Sequence, residues 1–78
     1  MDSIIETTDI SFAAFLRVRY SLPMIGMRKD SGGRVTWGFQ LDEGEESDLV
    51  NEFYAGAPVS AVQYASELKS LKSALYNL

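Results

Sequence analysis

The sequence predicts an α+β fold: a small antiparallel β-hairpin sheet, with room for a third short N-terminal strand, covered on one face by three helices in the order β-α-β-β-α-α. Three observations carry this. Residues 34–41 alternate strictly, with Val35, Trp37, Phe39 and Leu41 on one side and Arg34, Thr36, Gly38 and Gln40 on the other. Successive strand side chains point to opposite faces, so this is a strand with one buried face. A glycine-rich turn separates it from a second extended run, and three segments carry helical apolar spacing bounded by capping or helix-stopping residues.

Each element follows from local chemistry. Ser3 to Thr7 forms the short strand, around Ile4 and Ile5. Thr8 or Asp9 offers an N-cap oxygen to the free amides of a helix over Ile10 to Arg19. Phe12, Phe15, Leu16 and Arg19 share one side of it, and Ile10, Ala13 and Ala14 the adjoining one; the alanine pair lets another element approach closely. Pro23 disfavours helical geometry in the residue before it, which ends the helix across Tyr20 to Pro23. Met24 to Lys29 is the first hairpin strand, Asp30-Ser31-Gly32-Gly33 the turn, and Arg34 to Leu41 the second strand. The glycine pair lacks the spacing and following helix of a phosphate-binding loop.

A second helix is expected from about Glu45 to Ala55, with Leu49, Val50, Phe53 and Tyr54 facing inward. Gly56 suits the left-handed position after its end, and Pro58 prevents continuation. Ser60 caps a final helix reaching Asn77. Its stripe of Tyr64, Leu68, Leu71, Leu75 and Leu78, widened by Ala61 and Ala65, is expected to pack on the hairpin. The stripe is too short for a coiled coil, which needs three or four heptads.

Composition bounds the function. A chain of 78 residues is one domain, residues 1–78. It buries only about 60% of its unfolded surface, so its margin of stability is thin and a homodimer would help. Cysteine and histidine are both absent. Disulfides, thiolate zinc sites and Ser-His-Asp or Cys-His catalysis are thereby excluded. No catalytic, cofactor-binding or metal-ligating residue is assigned, no cofactor is expected, and the chain is read as not an enzyme. No apolar run is long enough to span a bilayer, and the N-terminus lacks the features of a signal peptide, so a cytoplasmic location without membrane association is expected.

The net charge of −4 is unevenly spread. Arg17, Arg19, Arg28, Lys29 and Arg34 form a basic stretch, the candidate nucleic-acid contact. Asp42, Glu43, Glu45, Glu46, Asp48 and Glu52 form an acidic one, the candidate docking patch. The acidic run does not match a calcium-binding loop and serves helix capping and solubility more simply.

As a combined pattern, the chain resembles a small domain family of unknown function found in bacteria and their phages. The resemblance rests on the Thr8-Asp9 start, Phe12-Ala13-Ala14-Phe15-Leu16, Arg34-Val35-Thr36-Trp37-Gly38-Phe39, Phe53-Tyr54-Ala55-Gly56 and Leu68-Lys69-Ser70-Leu71-Lys72-Ser73. It covers nearly the whole chain and implies a bacterial cytoplasm, or a host cytoplasm for a phage protein, but no activity and no site residues. The leading expectation is a non-catalytic interaction module whose partner is a protein or a second copy of itself, with no small-molecule substrate. The alternatives are nucleic-acid binding through the basic stretch and an acidic phage inhibitor of a host protein.

Overall fold

The computed structural model describes residues 2–42 and 46–76. Its elements are β1 (Asp2–Thr7), α1 (Ile10–Arg19), β2 (Met24–Lys29), β3 (Val35–Asp42), α2 (Glu46–Tyr54) and α3 (Ala61–Tyr76). The sheet has three strands in the order β1-β3-β2, and β3 is antiparallel to both neighbours. β1 and β2 therefore run parallel on either side of β3, and α1, which connects them, must cross the sheet face above the central strand. The extents of 32 × 30 × 19 Å make the molecule a slab two layers deep.

The crossover explains the burial of α1. Five consecutive residues, Phe12 to Leu16, are buried, because the helix has the sheet on one side and the other helices on its flanks. Asp9 is the N-cap, its side chain accepting from the Ser11 amide at 2.9 Å. Ala13 and Ala14 are fully buried, as expected where neighbouring elements approach closely. Phe53 of α2 sits against both Phe12 and Phe15, with ring centroids at 5.0 and 5.2 Å in the tilted geometry that aromatic rings favour.

The core face of β3 is as the alternation predicts. Trp37, Phe39 and Leu41 are buried, and Ile5 of β1 joins them opposite Phe39. β2 departs from simple alternation. Its register shifts between Met24, which pairs with Phe39, and Gly26, which pairs with Gly38. The shift at Ile25 lets both Met24 and Met27 turn toward the core although they are three residues apart. The hairpin turn places Gly33 at φ +84°, where only glycine avoids steric cost, and the Asp30 carboxylate accepts from the amides of Gly32 and Arg34.

The end of α2 is a Schellman motif. The Ala57 amide donates to the Glu52 carbonyl, the Gly56 amide donates to the Phe53 carbonyl, and Gly56 lies at φ +77°.

Three expectations are corrected. Tyr54 does not face inward but is 80% exposed, because Leu49 and Phe53 already fill the inward arc of this short helix. Ala61 and Ala65 are exposed and do not extend the α3 stripe. The stripe itself packs on α1, not chiefly on the hairpin: the Tyr64 hydroxyl donates to the Ser11 carbonyl at 2.9 Å, and Arg17 donates to Glu67 at 3.0 Å. The expected end of α3 at Asn77 and the stripe residue Leu78 lie outside the described residues.

Trp37→Ala should cost about 3–5 kcal/mol and leave the domain largely unfolded at room temperature. A cooperative melt near the wild-type midpoint would contradict the burial of this ring. Gly56→Ala is expected to cost about 1–2 kcal/mol through the left-handed backbone alone. Differential scanning calorimetry should then read a fall in Tm of at least about 4 °C.

Candidate interaction surface

With all helices on one side, the other face of the sheet is open. Ile4 (59% exposed) and Ile25 (49% exposed) stand on it, one on each flanking strand. Between them lies a shallow groove of about 410 Å³ whose lining includes the paired glycines Gly26 and Gly38, together with Thr36. The Glu6 carboxylate accepts from the Arg28 guanidinium across β3, so the face carries one charge of each sign.

The glycines are informative because nothing in the chain requires them sterically. A side-chain carbon at Gly26 would meet nothing within 4 Å, and one at Gly38 would find ordinary contacts with Ile25 at 3.7 Å and Glu6 at 3.9 Å. Neither glycine has positive φ. Glycine inside a strand loses stability relative to residues with side chains, and it often marks a close approach by another backbone or a ligand.

The β2 edge of this sheet discourages strand addition. β2 is irregular at Ile25 and carries Arg28 and Lys29, and both an irregularity and edge charges blunt a strand as a template.

The basic stretch does not form one patch. Arg17 is paired with Glu67, and Arg28 with Glu6. Arg19 donates to the Pro58 carbonyl at 2.9 Å and faces Glu52 at 3.7 Å, a separation that is ionic and too long for a hydrogen bond. Lys29 and Arg34 instead meet at the hairpin end, on a different groove of about 880 Å³. There they join Lys72 of α3, beside Val35, Trp37 and Leu75. Sequence reasoning missed Lys72 because its partners depend on how α3 docks.

The acidic run is also divided. Asp42 closes β3, Glu43 and Glu45 lie outside the described residues, and Glu46 opens α2. Asp48 is exposed on α2, while Glu52 one turn later is turned to Arg19. Among the described residues, no group of three potential metal ligands comes together, and no helix is long and apolar enough to cross a membrane.

An open second face was expected of a sheet covered on one side; what sequence reasoning missed is which residues stand on it. Their sequence signals are Ile4, next to the buried Ile5, and the broken alternation of Met24-Ile25-Gly26-Met27. No family model, curated protein or solved structure matches this chain, so its function is read from these surfaces.

Proposed function

We propose that the chain is a non-catalytic interaction module that pairs with a second copy of itself through the open sheet face. The observation that carries this is the groove lined by Gly26 and Gly38 between exposed Ile4 and Ile25. Two strand glycines without an internal steric cause leave the space that an opposing sheet would occupy. The face is also self-complementary in charge. With a two-fold axis parallel to β3, β1 of one copy lies over β2 of the other, and Glu6 faces the strand bearing Arg28. The bacterial or phage setting implied by the resemblance is part of the same proposal.

Area sets the strength. Three strands about 4.8 Å apart and six residues long at about 3.4 Å each span roughly 300 Å² of sheet plane. Even with side-chain relief, the total buried by two copies stays below about 1,200 Å², the range of weak, reversible association. The expected Kd is on the order of 10–100 μM.

Sedimentation equilibrium tests this directly. The wild type should be a monomer–dimer system, and Ile4→Lys and Gly26→Val should each be monomeric. Both positions have open space, so these variants should keep the wild-type Tm within about 3 °C. A wild type that remains monomeric at millimolar concentration would overturn the reading. So would variants that still dimerise with the parental Kd.

Because His, Cys and phosphate-loop spacing are absent and the acidic run does not match a calcium-binding loop, zinc, ATP and calcium at micromolar concentration should leave Tm unchanged. A ligand that binds only the folded state must raise it.

A further inference from the structure

We infer that the groove between the hairpin end and the last turns of α3 is a second binding site, for an acidic peptide segment that carries an apolar side chain. It shares no lining residue with the Ile4–Ile25 groove, lies toward the helix side of the sheet, and does not depend on the pairing of sheets.

The groove exists because of how α3 docks. Its stripe packs on α1, so its C-terminal half does not close over the hairpin, and a volume of about 880 Å³ stays open between them. Lys29 at the end of β2, Arg34 in the hairpin turn and Lys72 of α3 converge on it, all three exposed. Among the described residues, none of the three has a side-chain ion pair or hydrogen bond, whereas Arg17, Arg19 and Arg28 are each engaged with an acid. Among the described residues, no acid lines the groove. In a chain of net charge −4, three unneutralised cations around one depression are a local inversion of sign.

The same groove is lined by the half-buried Val35 and Leu75, which an incoming apolar group would cover, with the buried Trp37 beneath them. An occupant needs negative charge at the rim and an apolar group for the floor. A peptide with several Asp or Glu around a Leu has both.

Nucleic acid fits less well. Three cations neutralise about three phosphates, which gives a log–log salt slope of only about −2 on single strands. A strand binds by stacking successive bases, and of the two rings that line the groove Trp37 is 2% exposed, which leaves Tyr76 alone to offer a face. The surrounding negative charge repels a long polyanion more than a short peptide.

Trp37, the only tryptophan, lines the groove and serves as an intrinsic fluorescence probe. The probe ligand is a short synthetic peptide of Asp and Glu around a central Leu, titrated at protein concentrations below a micromolar, where the sheet-face dimer is absent. Comparison peptides replace the Leu by Gly or the acids by Ser and Gln, and mixed-sequence single-stranded DNA is a further arm.

Saturable binding with sub-millimolar Kd is expected, with an accompanying change in Trp37 emission. It should weaken at least about tenfold on loss of the Leu or of the acids, and at least about tenfold in Lys29→Glu plus Lys72→Glu. Both lysines are exposed, so far-UV circular dichroism should show the variant folded. Absence of binding, equal binding by the charge-reversed protein, or tighter binding of the DNA would each overturn the inference. Failure of the sheet-face dimer would leave these titrations unaffected, because Ile4→Lys removes the one and not the other.

Discussion

The alternation of β3 is the constraint on which the rest depends. As the central strand, β3 hydrogen-bonds to both neighbours, so its two faces divide the molecule. Trp37, Phe39 and Leu41 point to the helix side and make the floor of the core. Gly38 points the other way, across from Glu6 on β1 and Gly26 on β2. A one-residue slip would exchange these sets and place the tryptophan in water. The crossover of α1 above β3 follows from the same centrality, and α2 and α3 then pack on α1. In so small a domain, the helices are held largely through α1, which is why five of its consecutive residues are buried.

The ion pairs act differently. The side chains of Arg17–Glu67, Arg19–Glu52 and Arg28–Glu6 are between 22% and 69% exposed. Pairs so accessible to water contribute from nothing to about 1 kcal/mol each. They matter less for stability than for where charge is left over. By engaging three arginines on three separate surfaces, they leave Lys29, Arg34 and Lys72 as the cationic cluster at the hairpin end. A stretch that reads as one basic segment in the sequence thus becomes three neutralised contacts and one charged groove.

What was legible in the sequence was local. The β3 alternation, the hairpin turn, the Asp9 cap and the Gly56 terminus depend on residues within a few positions of one another, where backbone sterics decide. What was not legible depends on docking. The face of α3 that is apolar can be read from spacing, but not whether it meets α1 or the hairpin. Tyr54 satisfies the helical spacing as well as Phe53 does, yet only Phe53 finds Phe12 and Phe15. Ser21 adopts a left-handed φ of +52° behind α1, although serine gives no such signal. A free second face follows from helices on one side, but its residues do not: the register shift at Ile25 turns Met24 and Met27 toward the core and leaves Ile25 outside, against simple alternation.

β3 has one side committed to the core, and in the proposed dimer its other side faces a second copy. Residue-resolved amide NMR over a dilution series tests this without altering the protein. Chemical shifts should move with concentration at Ile4, Glu6, Gly26, Arg28 and Gly38, while Leu16, Leu49 and Leu71 in the core stay fixed. Shifts that move instead on α2 or α3, or that do not move at any accessible concentration, would contradict it.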